Sequence, residues 1–202
     1  MNFSDRSVAH SGDFSRECRS LYFKLYFVCD VLNLHCFQGR LERVPLTLNL
    51  DGNQKRIFAM TSCLSIPWRR KPFCSMEINL FPCMELSSGC LLGVMLHEMN
   101  HIRDYQYTRS TKHDRRFYER MLRVGYDDKS MSYQEDTPFS RCLETVSRRQ
   151  LRLPESLRSL GARVGTMPKP DWDEIDIFHA YLDHTLRLRR DSSTDCRTEA
   201  AS

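Results

Sequence analysis

Two periodicities of apolar residues run along the first two thirds of the chain. From residue 14 to about residue 36, apolar side chains recur every three or four positions, which predicts a helix with one buried face. Gly39 ends this pattern. Three shorter segments then favour strands, the first and third by strict alternation of apolar and polar residues. These predicted strands are residues 44–50, 56–63 and 74–80.

Helical spacing returns after the predicted strands. Ser87 and Ser88 can cap a helix that continues to about Tyr107, and a polar loop separates it from a further helix beginning at His113 or Asp114. Beyond residue 127 the pattern weakens. We expect a loop over 128–140, a short basic helix within 143–160 interrupted by Pro154, a linker over 161–170 and an amphipathic helix over 173–188.

Composition places the chain among ordinary globular proteins. Its 202 residues are 41% hydrophobic and 28% charged, with a net charge of +4. No apolar run approaches the roughly 20 residues of a membrane span, and residues 1–16 lack the apolar core of a signal peptide. The nine cysteines form no C-x-x-C pair. We therefore expect reduced thiols and an intracellular protein, cytoplasmic or nuclear, without a membrane partner.

One short motif carries chemistry. His97, Glu98 and His101 form an H-E-x-x-H pattern inside the second predicted helix. Residues four apart lie on one face of a helix, so the two imidazoles can bind the same zinc ion. The glutamate can then take a proton from a metal-activated water and pass it to a leaving amine. The pattern predicts a catalytic Zn²⁺ site with Glu98 as the general base.

A catalytic zinc site needs a third protein ligand. His113 is the leading candidate, because the polar loop before it allows the chain to turn back. Glu119 is a weaker alternative, since it points away from His113 around the following helix. The remaining histidines are interpreted as surface or packing residues: His10, His35, His179 and His184.

An ordered set of segments surrounds the motif: an entry segment with Gly-x-Leu at 32–41, strands at 44–50, 59–63 and 76–79, the motif helix at 92–101, and an H-x-x-x-F segment at 113–117. Together these segments resemble the SprT-like zinc metallopeptidases, the family that includes the Spartan proteases acting on DNA–protein crosslinks. The resemblance covers roughly residues 18–127, a little over half of the chain. Asp114 stands where the family has glycine after its third ligand, and no C-terminal zinc ribbon is present.

The resemblance implies an α+β, zincin-like fold: an N-terminal helix, a three-stranded sheet, the active-site helix and a third-ligand helix. It implies His97, His101 and His113 as ligands, Glu98 as catalytic base, a protein substrate and DNA as a further partner. We expect a disordered segment at 1–13, the peptidase domain at 14–127, and a helical C-terminal extension at 128–202. Two alternatives stay open: a non-catalytic adaptor that binds DNA or protein, and an effector-type protease aimed at a host protein.

Overall fold

The computed structural model describes residues 4–50, 57–65, 68, 72–110 and 112–166, with side chains from Phe14 to Gly165. The described part is a mixed α+β structure, as the sequence predicts. Its helices are α1 (Ser4–Phe37), α2 (Leu80–Cys83), α3 (Ser88–Thr108), α4 (Arg115–Arg123), α5 (Pro138–Arg148) and α6 (Leu153–Thr166). Its strands are β1 (Leu46–Asn49), β2 (Ala59–Leu64), β3 (Phe73–Asn79), β4 (Tyr126–Asp127) and β5 (Ser132–Tyr133).

The first three strands form one sheet in the order β1-β3-β2. β3 is central, parallel to β1 and antiparallel to β2. Met76 and Ile78 of β3 are fully buried, in keeping with the alternation that predicts this strand. β2 therefore lies at the edge of the described sheet, and α3 packs against it.

α1 covers the outer edge of β1 through two tyrosine side chains. The hydroxyl of Tyr26 accepts a hydrogen bond from the backbone N–H of Leu46 at 3.0 Å, and that of Tyr22 accepts one from Leu48 at 3.1 Å. An edge strand otherwise exposes unpaired N–H groups. These two contacts satisfy them and fix the register between α1 and the sheet.

The turn that follows α1 is held by one asparagine. The Asn33 side chain donates to the carbonyl of Leu41 at 2.9 Å and accepts from its N–H at 3.1 Å. Gly39, whose N–H donates to the Asn33 carbonyl, has a φ of +70°, which glycine adopts without a steric penalty. The Asn and Gly-x-Leu residues of the entry segment thus build one tight connection from α1 towards β1.

The later part of the chain differs from the sequence-based prediction. Within 128–140, expected to be a loop, β5 pairs with β4, which lies just before this segment, and α5 begins at Pro138. The helix expected within 143–160 is two helices, and Pro154 lies in the first turn of α6, where its missing N–H costs no hydrogen bond. α6 continues to Thr166, so residues 161–166 are helical rather than part of a linker. The helix predicted over 173–188 lies outside the described residues.

The packing is continuous through position 127. The described residues up to Gly165 form one compact unit in which α5 lies against α1, and the buried Cys142 approaches Cys36 at 3.9 Å between sulfur atoms. At the other end of this unit, α1 begins at Ser4, ahead of the apolar stripe that predicts it and within the segment expected to be disordered. Among the described residues, no helix combines the length and apolar character that crossing a bilayer requires.

Gly93 provides a test of the core packing around α3. A Cβ at this position would lie 2.0 Å from Cζ of Tyr126, whose ring is buried. Gly93→Ala should therefore destabilise the fold by about 1–3 kcal/mol, the usual cost of overpacking. Urea unfolding measures the change. Gly165→Ala is the control, because nothing lies within 4 Å of its Cβ. Equal stability of the two variants would contradict this packing.

Candidate metal centre

α3 presents the two histidines of the H-E-x-x-H motif on one face. The helix begins after Ser87, whose hydroxyl accepts a hydrogen bond from the N–H of Cys90 at 3.2 Å, as the sequence predicts. The Nε2 atoms of His97 and His101, one helical turn apart, lie 3.1 Å from each other. The regular helix is therefore sufficient to bring these two nitrogen atoms together.

The chain then turns back to α3 through the N-terminus of α4. The side chain of Asp114 accepts a hydrogen bond from the N–H of Phe117 at 2.9 Å and so caps the helix. Asp114 has a φ of −82°, a backbone conformation open to any residue. This explains why aspartate is accommodated at a position where the resemblance leads one to expect glycine.

Polar contacts fasten α4 to α3. The Arg120 guanidinium pairs with the buried carboxylate of Asp104 and donates from Nε to Oδ1 of Asn100 at 3.2 Å. The Asn100 side chain in turn donates to the carbonyl of Phe117 at 3.3 Å. These contacts hold the start of α4 close to the motif face of α3.

The result is a cluster of three imidazole nitrogens. Nε2 of His113 lies 2.9 Å from Nε2 of both His97 and His101. Each Nε2 either carries a proton and donates a hydrogen bond, or lacks one and accepts. Among three such nitrogens, at least two must be of the same kind, so hydrogen bonds cannot satisfy all three contacts. One metal ion can accept all three lone pairs. The three residues are close enough to hold such an ion.

The surroundings keep two of the three rings neutral, as metal ligands must be. Burial, and after it the neighbouring His97 and His113, lower the pKa of His101 to about 4. Burial also lowers the pKa of His113, and His97 adds to the effect. Both imidazoles are therefore predominantly neutral at pH 7, and their lone pairs are available for a metal.

Phe117 forms the apolar wall of the cluster. Its buried ring lies with its centroid 4.9 Å from that of His97, 4.7 Å from His101 and 4.9 Å from His113. Nδ1 of His101 is buried and has no hydrogen-bond partner in the described part of the chain. The His101 ring is accordingly positioned by packing. The phenylalanine of the H-x-x-x-F segment has a physical role next to all three imidazoles.

Asp128 is a site residue that the sequence reasoning missed. Its Oδ1 lies 2.9 Å from Nδ1 of His97, and both side chains are about one-fifth exposed, at 21% and 19%. A carboxylate here accepts a hydrogen bond from Nδ1–H and leaves Nε2 free to bind a metal, the usual arrangement around metal-binding histidines. The need for such a partner was a usable signal, but spacing alone does not distinguish Asp128 from Asp127 or other nearby acids.

Glu98 is a buried carboxylate beside the cluster. It is 7% exposed, and Thr61 of β2 donates from its hydroxyl to the Glu98 carbonyl at 3.1 Å. Burial raises the pKa of the Glu98 side chain, while hydrogen bonding with Thr61 and the nearby His97 oppose the rise. A carboxyl group with a raised pKa is better matched to proton transfer near neutral pH than an exposed one.

The structure separates the remaining candidates from the cluster. Oε1 of Glu119, the weaker alternative for the third ligand, accepts a hydrogen bond from Nε of Arg115 at 2.6 Å and is not part of the histidine group. His35 lies in the last turn of α1. The side chains of His10, His179 and His184 lie outside the described residues.

Comparison of the chain with models of known protein families, with curated proteins and with solved structures gives no match. The candidate centre therefore has to be interpreted from its own residues.

The contact between His97 and Asp128 predicts a graded effect on metal binding. Asp128→Asn keeps the shape of the side chain but removes its negative charge. We expect Zn²⁺ affinity to fall about 10- to 100-fold, the typical cost of losing the carboxylate partner of a metal-binding histidine. Competition with a chromogenic chelator at fixed pH measures the dissociation constant.

Two further variants give the expected upper and lower limits of the effect on Zn²⁺ affinity. His113→Ala removes a ligand and should lower the affinity further than Asp128→Asn. Asp136→Asn changes an exposed acid of the following turn and should leave Zn²⁺ binding as in the wild type. If Asp128→Asn binds Zn²⁺ as tightly as the wild type, Asp128 has no role in orienting His97.

Proposed function

We propose that the chain is a zinc-dependent peptidase of the SprT-like, zincin type. The observation that carries the proposal is the convergence of three imidazole nitrogens beside one buried carboxylate. A structural zinc site is usually closed by four protein ligands, whereas three ligands leave a position for water or substrate. Glu98, the buried residue that follows His97 on α3, is a potential base, and this combination favours hydrolysis over a purely structural role.

His97, His101 and His113 would hold the ion through Nε2. Bound zinc would polarise a peptide carbonyl and lower the pKa of an attacking water to about 7. Asp128 keeps the proton of His97 on Nδ1, so that its Nε2 stays directed at the centre. Phe117 excludes water from one side of the cluster, which strengthens electrostatic interactions within it.

Glu98 would carry the proton. One of its carboxylate oxygens takes the proton from the water during attack on the carbonyl carbon, and the same carboxyl group then gives it to the leaving amine nitrogen. Its raised pKa favours both halves of this cycle, because the protonated acid is not a prohibitively unstable intermediate. Thr61 of β2 holds the backbone of Glu98 through its hydrogen bond to the Glu98 carbonyl.

β2 offers a place for the substrate chain. It is one of the two edge strands of the described sheet and the one that lies against α3, so its outward N–H and C=O groups can pair with an extended peptide. Met60 and Leu64 of this strand are exposed apolar side chains, at 46% and 62%. Pairing with β2 would bring a peptide bond close to the histidines and would favour unfolded or extended protein segments as substrates.

The identity of the target rests on the resemblance alone, which favours proteins associated with DNA. The adaptor alternative keeps the metal but predicts no hydrolysis, and the effector alternative predicts hydrolysis that DNA does not influence. Cleavage of a labelled unfolded protein, with and without single-stranded DNA, distinguishes the three.

The proposal predicts that Glu98→Gln inactivates the enzyme without removing its metal. Loss of a general base costs about 100- to 10,000-fold in rate, because the amide cannot accept the proton. The rate of cleavage of fluorescein-labelled casein by zinc-loaded protein gives the activity, and elemental analysis gives the zinc content.

Glu119→Gln is the matched control, since its carboxylate pairs with Arg115 away from the cluster. It should retain both zinc and activity. If the zinc-loaded wild type cleaves no substrate, the non-catalytic adaptor becomes the favoured interpretation instead of the peptidase. If Glu98→Gln cleaves as fast as the wild type, another group supplies the base.

A further inference from the structure

A cavity of about 440 Å³ opens on a second face of α3. Its α3 wall consists of Leu96, Asn100, Arg103 and Tyr107, which recur every three or four residues and so share one side of the helix. His97 and His101 belong to another stripe and do not line it. The end of α1, the turn after it and α4 supply the other walls.

The cavity is lined by positively charged side chains. Four arginines line it, namely Arg40, Arg103, Arg120 and Arg123, and no acidic residue is among the lining side chains of the described chain. Asp104 lies next to the wall and pairs with Arg103 and Arg120. One carboxylate thus pairs with two of the four guanidinium groups, and the cavity keeps an excess of positive charge.

The arginines differ in how firmly they are held. Arg120 is held in place by Asp104 and Asn100 and its side chain is 21% exposed, so its orientation is fixed before any ligand arrives. Arg40 and Arg123 are exposed at the rim, and within the described residues neither guanidinium has an acidic partner. The inner groups are pre-oriented, and the rim groups are free to close on an anion.

The shape and chemistry of the walls narrow the ligand class. Guanidinium groups match phosphate oxygens with paired N–H donors and stay charged at all physiological pH values. The volume lies within the range of small-molecule sites. Phe37 and Tyr107 add aromatic surface beside the charges, against which a base can stack. A carboxylate ligand would use the charge but not the aromatic wall.

We propose that this arginine-lined pocket binds the phosphate groups of a nucleotide, either free or within a single strand of nucleic acid. The shared chemistry is a phosphoryl group between the pre-oriented Arg120 and the rim arginines. The inference is independent of the peptidase assignment, because the pocket does not include Glu98 or the histidines.

Isothermal titration calorimetry of the whole zinc-loaded chain tests the proposal with three probes: ADP, adenosine and a single-stranded oligonucleotide of twelve thymidine nucleotides. ADP or the oligonucleotide should bind with an affinity that falls as salt rises, and adenosine should bind far more weakly. The double variant Arg40→Gln/Arg123→Gln should weaken binding about ten-fold or more, since it removes two charge-assisted contacts.

The control is Arg141→Gln/Arg148→Gln, which removes the same charge from exposed positions of α5. It should bind as the wild type does. Binding of ADP with this pattern identifies a free nucleotide as the ligand, and binding of the oligonucleotide alone identifies a strand. Absence of binding to both, or equal weakening in the two double variants, overturns the proposal, because the attraction would then be absent or spread over the whole surface. Zinc content, measured in parallel, separates this result from any failure of the metal centre.

Discussion

The fastening of α4 to α3 is the constraint on which the candidate centre depends. A helix by itself brings His97 and His101 together, but the third nitrogen arrives only because Arg120, Asp104 and Asn100 hold the two helices in contact. An ion pair of this kind offsets part of its desolvation cost only when its hydrogen bonds are nearly complete. The same contacts orient the inner wall of the arginine-lined pocket, so one polar network supports both sites.

The free-energy cost of burying polar side chains for this arrangement falls mainly on α3. This helix buries four polar residues: Glu98, Asn100, His101 and Asp104. Apolar side chains at these positions would pack without the free-energy cost of removing polar groups from water. Three converging imidazole nitrogens also leave at least one unfavourable contact in the absence of a cation. Buried polar groups that are not needed for packing are typical of functional sites. Metal binding would relieve the conflict and thereby stabilise the fold.

Much of the mixed α+β fold followed from periodicity, because α1, α3 and β3 each bury one regular face. The later helices are harder to predict, because α5 begins inside a polar segment. Its buried apolar residues are only three: Phe139, Cys142 and Val146. In the site, the spacing of four residues predicts His97 and His101, whereas His113 is predicted from the polar loop before it and from the resemblance. Spacing could not nominate Asp128, because its contact with His97 depends on how the chain turns after α4 rather than on a short motif.

The most direct test of the account is the X-ray absorption spectrum of the zinc-loaded protein at the zinc edge. We expect near-stoichiometric zinc with three imidazole nitrogens at about 2.0–2.1 Å and no sulfur neighbour. The nine cysteines make sulfur a genuine competitor. A shell of sulfur atoms at about 2.3 Å, or fewer than three imidazoles around the ion, would contradict the claim that His97, His101 and His113 form the metal centre.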